Sequence, residues 1–103
     1  MNSLQRSPNW NLTESEGRRI VEIVRRFSDA EIWLFGSRAT GRARRYSDVD
    51  ICLKSFRLPE GATANIQEGF EESDIPYIVD LSEYSQMTPA FRVEVDRDGI
   101  RLA

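Results

Sequence analysis

Two aspartates separated by a single residue, Asp48 and Asp50, follow the pair Gly36-Ser37 after an interval of ten residues. In a β-strand alternate side chains share a face, so these carboxylates would project together and could grip divalent cations between them. Gly36 lets the backbone come close to a phosphate, and Ser37 offers its hydroxyl and the free N–H groups of a helix start. The chemistry that suits this pattern is nucleotidyl transfer. It demands an electrophilic α-phosphate, a nucleophilic hydroxyl and neutralisation of the departing pyrophosphate, and two metal ions held roughly 3.5 to 4 Å apart meet all three demands. Asp80, on a separate apolar run, offers a third carboxylate to complete the site of the ion that activates the hydroxyl. Oxygen-only ligands favour Mg2+, with Mn2+ as the other fit. Arg38 and Arg42 are placed in sequence to reach the outer phosphates.

Each feature also has a plainer reading. Ser37 alone is a helix cap, Gly36 alone a turn former, and Asp-x-Asp a common surface pattern; it is their conjunction ahead of an apolar strand that points to a site. Gly36 and Gly41 also spell G-x-x-x-x-G, but Arg42 and Ala43 stand where the P-loop of ATPases requires Lys and Ser or Thr, so that motif is not met.

The elements that must carry these residues are legible in the periodicity. Residues 1–11 read as a flexible lead-in with Trp10 as a candidate anchor, and the domain proper as 12–103. Thr13 with Glu16 matches a capping box, and Ile20, Ile23, Val24 and Phe27 repeat at helical spacing, which predicts an amphipathic helix over 13–28 with Arg18, Arg19, Arg25 and Arg26 on a solvated face. Ala30 to Phe35 reads as a buried strand stopped by Gly36. Ser37 then caps a brief helix to about Thr40, and 42–47 forms a loop. Val49 to Leu53 is the next strand, with Val49, Ile51 and Leu53 toward helices and Asp48, Asp50 and Cys52 on the other face. Ala62, Ile66 and Phe70 predict a helix within 58–73, weakened by Gly61 and Gly69. A strand runs from Tyr77 to Leu81 with Ile78 and Asp80 on one face. Phe91, Val93 and Val95 alternate like a strand, but Thr88-Pro89 and Gly99 are helix start and stop signals, so 89–98 is read as helix and 100–102 as a short closing strand.

Composition narrows the function classes. A chain of 103 residues suits one compact domain. With no histidine and Cys52 as its one cysteine, it lacks the commonest zinc ligand, the commonest general base and any internal disulfide, so carboxylates must carry the chemistry. A net charge of -3 argues against wrapping duplex DNA, although Arg38, Arg42, Arg44 and Arg45 are locally basic. No apolar run approaches the ~20 residues that cross a bilayer, and the polar start lacks the apolar stretch of a secretory signal, so a cytoplasmic protein is expected.

Gly36-Ser37-Arg38-Ala39-Thr40-Gly41, Ser47-Asp48-Val49-Asp50-Ile51 and Val79-Asp80-Leu81, with the ending Asp98-Gly99-Ile100, resemble the signature of the minimal nucleotidyltransferases of the DNA polymerase beta superfamily over most of the chain. The resemblance implies an α/β (α+β) fold, a small mixed sheet with helices packed on one face and the metal site on the other. It maps the metal ligands onto Asp48, Asp50 and Asp80 and the triphosphate-binding pair onto Gly36 and Ser37. It also implies ATP as substrate and a small helical partner of the HEPN type, encoded nearby, as toxin to this antitoxin, with a tyrosine of that partner as adenylyl acceptor. One departure is Thr40, where many relatives carry Arg. Larger members add a second domain that shapes the acceptor pocket, so here a partner chain or a second copy would hold the acceptor, with Trp10, Tyr46 and Tyr84 as candidate contacts. The other reading kept open is a non-catalytic nucleotide-binding antitoxin that neutralises its partner sterically.

Overall fold

The computed structural model describes residues 11–44 and 47–103. Most of the expected lead-in, with Trp10, Arg45 and Tyr46, lies outside the described residues. Thr13 caps the first helix as its spacing to Glu16 requires: the Thr13 hydroxyl accepts from the Glu16 N–H at 3.1 Å, and Glu16 Oε1 accepts from the Thr13 N–H at 3.0 Å. Helix α1 (Glu14–Arg25) buries Ile20, Ile23 and Val24. It stops short of the expected residue 28, where Arg25 donates to the carbonyls of Ser28 and Ala30 at 3.2 and 2.7 Å and so satisfies the chain as it turns away. Phe27 thereby leaves the core and is 36% exposed. The arginine face is solvated, with exposed pairs of Arg18 to Glu14 and of Arg19 to Glu22 and Asp74.

Among the described residues four strands form one sheet in the order β3-β2-β1-β4: β1 (Glu31–Phe35), β2 (Val49–Lys54), β3 (Val79–Glu83) and β4 (Ile100–Arg101). Strand β1 pairs antiparallel with β2 and with β4, and β2 pairs parallel with β3. Alternation assigns the faces as the sequence predicts, with Ile32, Leu34, Val49, Ile51, Leu53 and Val79 buried in the core that α1 shares. Strand β3 begins two residues later than expected, after Pro76, which has no N–H to give a ladder. Ile78 nonetheless joins through its carbonyl, which accepts from the Val49 N–H at 2.9 Å.

Helix α2 (Ala62–Glu71) falls within the expected 58–73, with Pro59 and a left-handed Gly61 ahead of its first turn. It packs Ala62, Ile66 and Phe70 into the same core. Gly69, a weakness on propensity alone, is required by the crossing: a Cβ there would come within 2.8 Å of Ile23 Cγ2.

The mixed α+β fold class is thus observed, and α1 and α2 share one face of the sheet. Helix α3 (Pro89–Asp98), capped by Thr88 as its sequence predicts, is the addition: it lies against the opposite face, where Val95 is buried with Phe35 and Cys52. A short 3₁₀ turn (Tyr84–Gln86) precedes it. Lys54 fixes this layer, its ammonium 4.4 Å from the Trp33 ring and 4.7 Å from the Tyr84 ring and paired with Asp96 at 3.2 Å. The Tyr84 hydroxyl also donates to Asp96, at 2.7 Å. Among the described residues no helix is long and apolar enough to cross a membrane.

The two layers differ in what they contribute. Truncating the fully buried Ile66 to Ala should lower the unfolding free energy by about 2–5 kcal/mol in a urea titration, whereas Phe91→Ala on the exposed side of α3 should change it by less than about 0.5 kcal/mol.

Candidate functional site

Phe35 pairs with Asp50 in the antiparallel ladder, which sets the next residue, Gly36, against the Asp50 carboxylate. Gly36 has φ of 76°, and a Cβ added there would collide with Asp50 Oδ2. Both the backbone turn and the close approach therefore need glycine at this position. The brief helix expected from Ser37 is instead a tight turn spanning 36–41. The Gly36 carbonyl accepts from the N–H groups of Ala39 and Thr40 at 3.1 and 3.2 Å, the Ser37 carbonyl accepts from the Arg42 N–H at 2.9 Å, and Gly41 (φ 79°) ends the segment.

The parallel register places Asp50 directly beside Asp80, on the face away from α1 and α2. Asp48 stands at the entrance to β2 and is exposed. Asp50 feels the other two: its pKa is pushed up to about 6, first by burial and then by the charges of Asp80, Asp48 and Glu94, and Arg38 opposes them. A half-buried carboxylate that its neighbours discourage from ionising is a group that a divalent cation would relieve, and an all-oxygen donor set fits Mg2+ or Mn2+. Among the described residues, no three Asp, Glu, Cys or His side chains are grouped closely enough to hold a metal ion.

One expectation is corrected. Arg38 does not reach toward outer phosphates: it is 0% exposed, and its guanidinium donates inward to the carbonyls of Asn11 and Ser47 at 2.7 and 2.6 Å while lying 4.5 Å from the Tyr77 ring centroid. The reason is that Tyr77 and the two carbonyls build a planar, polar slot that suits a guanidinium. Arg42 differs, being exposed at the end of the turn, with its Nε donating to Thr40 Oγ1 at 3.2 Å.

Beside Asp50 and Asp80 opens a cleft of about 520 Å³ whose other wall is Met87, Phe91 and Glu94. In the sequence Met87 and Glu94 carry no site signal, and Phe91 reads only as part of the apolar pattern of 89–98. Glu94 reads there as one more surface acid on a helix, and only the placement of α3 across the open sheet face turns it toward Asp50.

A family model described as a nucleotidyltransferase domain matches residues 18–102. A protein of Haemophilus influenzae described as a probable protein adenylyltransferase, MntA, is 40% identical over 82 residues, which span 77% of this chain and 72% of that protein. Two solved structures share the fold. One is a toxin-antitoxin with AMP-PNP (TM-score 0.71, 24% identity, 84% of this chain and 72% of the other); the second is a mutant of the toxin-antitoxin MntA-HpeT (TM-score 0.69, 21% identity, 84% and 71%).

Two outcomes follow from the geometry around Asp50. Gly36→Ala should destabilise the protein by about 1–3 kcal/mol in chemical denaturation, through the left-handed backbone, and abolish turnover by displacing the Asp50 carboxylate. Because the folded-state pKa of Asp50 lies above its ordinary 3.8, protonation favours the fold. Its contribution is full below about pH 3.8 and is lost as pH rises through about 6. Melting temperatures of metal-free protein measured across this range should fall with that profile, and Asp50→Asn should flatten it.

Proposed function

The chain belongs to the nucleotidyltransferase domain family, and from that premise we propose that it is a metal-dependent protein adenylyltransferase that uses ATP to modify a tyrosine hydroxyl of a helical HEPN-type partner, and so acts as an antitoxin. The observation that carries this reading is the register that sets Asp50 beside Asp80 with Gly36 pressed against the Asp50 carboxylate. The description of the Haemophilus influenzae relative as a probable protein adenylyltransferase supports both the adenylyl group and a protein acceptor. The toxin-antitoxin that shares the fold was crystallised with AMP-PNP, an ATP analogue, which supports the nucleotide.

In this reading Gly36 admits the triphosphate close to the backbone and Ser37 offers its hydroxyl and N–H. Arg42, exposed at the end of the turn, faces the outer phosphates as a counter-charge. Asp48, Asp50 and Asp80 would hold the Mg2+ ions, which when bound supply charge neutralisation at the attacking and leaving oxygens. The acceptor hydroxyl enters from the cleft between Asp80 and α3. Its oxygen forms a bond to the α-phosphorus as the bond from that phosphorus to the bridging oxygen breaks, pyrophosphate leaves, and the hydroxyl proton passes to a carboxylate or to water.

Incubation with the partner encoded beside it, α-labelled ATP and Mg2+ should label the partner. Asp48→Asn with Asp50→Asn should cut labelling by more than about 100-fold. Labelling that survives the double replacement overturns the catalytic assignment. Full neutralisation of the partner by the unlabelling variant establishes steric blocking instead.

A further inference from the structure

We propose that Arg38 is a positioning residue for nucleotidyl transfer, an internal brace that holds the phosphate-side turn, the entrance to β2 and the entrance to β3 in one fixed relation. Its side chain is 0% exposed, so it meets no solvent-borne phosphate. Instead it links four separate segments. Arg38 itself belongs to the turn that begins at Gly36. Its Nη2 donates at 2.6 Å to the carbonyl of Ser47, the residue that immediately precedes Asp48. Its Nη1 donates at 2.7 Å to the carbonyl of Asn11, whose own side-chain amide donates to the Ala43 carbonyl at 2.8 Å and so returns to the far end of the same loop. Its plane lies 4.5 Å from the centroid of Tyr77, two residues before β3 begins at Val79.

A buried cation is costly unless its donors are engaged by well-placed acceptors, and charge-assisted bonds to fixed carbonyls engage both of its terminal nitrogens. Lysine cannot reproduce them, because a guanidinium is a rigid planar fork that spans two acceptors and stacks on a ring, whereas an ammonium is a single point on a flexible stem. The same charge lies near enough to Asp50 to oppose the carboxylates around it. The brace therefore joins the element that receives the triphosphate to the strand that carries the aspartates, and misplacement of about 1 Å between such groups can cost on the order of 100-fold in rate.

The kinetic arm of the test rests on the adenylyl-transfer reading, and a second arm does not. Arg38→Ala and Arg38→Lys are compared with wild type for kcat and KM toward ATP, and for amide hydrogen exchange of residues 36–42 and 47–50 without nucleotide. In folded variants kcat should fall roughly 100-fold while KM for ATP stays within about threefold. Exchange in both segments should accelerate, and ethylguanidinium added to Arg38→Ala should restore kcat in a saturable manner while Arg38→Lys stays impaired. Unchanged exchange and kcat in Arg38→Ala, or a loss confined to KM for ATP, overturns the inference. A wild-type protein that transfers nothing overturns the functional reading alone and leaves the exchange result to decide the brace. Should Arg38→Ala fail to fold, Tyr77→Leu removes the ring and keeps both carbonyl bonds. It should show a smaller kcat loss and faster exchange over 47–50, whereas Tyr77→Phe, which keeps the ring and gives up only the hydroxyl's 2.9 Å bond to Glu16 Oε1, should match wild type in kcat and in exchange over 47–50; a Tyr77→Leu protein indistinguishable from wild type then refutes the brace.

Discussion

The pairing of β2 with β3 is the constraint on which the rest of the molecule depends. Side chains alternate with a period of two, so a slip of one residue would send Asp50 into the helix-facing core and turn Ile51 out into the cleft. The alignment is held from both sides. On the buried face Val49, Ile51 and Leu53 pack with Val79 against α1 and α2, and at the strand entrance the Val49 N–H donates to the Ile78 carbonyl. Burial of the apolar face is what keeps two like charges side by side on the other.

That adjacency stores electrostatic tension. Asp50 sits half-buried among Asp80, Asp48 and Glu94, and the buried guanidinium of Arg38 opposes only part of their repulsion. Gly36 gives the Asp50 carboxylate room that any side chain would occupy. Carboxylates arranged in this way repel one another most when ionised, and the fold tolerates them because the core lies on the far side of the sheet.

Much of this was legible in the chain. The capping box at Thr13 and Glu16, the alternation through Val49 to Leu53 and the Thr88-Pro89 start of α3 are local signals, and each appears where its residues stand. What failed was non-local. Arg38 beside a Gly-Ser turn reads as a phosphate ligand, but its direction is set by Tyr77 and by two backbone carbonyls, none of which is a sequence neighbour. Phe27 continues the helical spacing of α1, yet the helix has ended before it arrives. The helix that carries Glu94 and Phe91 is evident from its start and stop signals, while the face of the sheet it covers is decided by tertiary packing alone.

The attachment of α3 has a further consequence. Within that helix only Val95 is buried, and the remaining hold comes from side chains at its edge, chiefly the Lys54 ammonium between two aromatic rings and the Asp96 carboxylate that it shares with Tyr84. One side of the cleft is therefore a panel hung on an already finished scaffold. Its outward residues can be exchanged with little effect on the core beneath the other face of the sheet, so the far wall of the cleft can change while Asp50 and Asp80 stay where the β2–β3 register holds them.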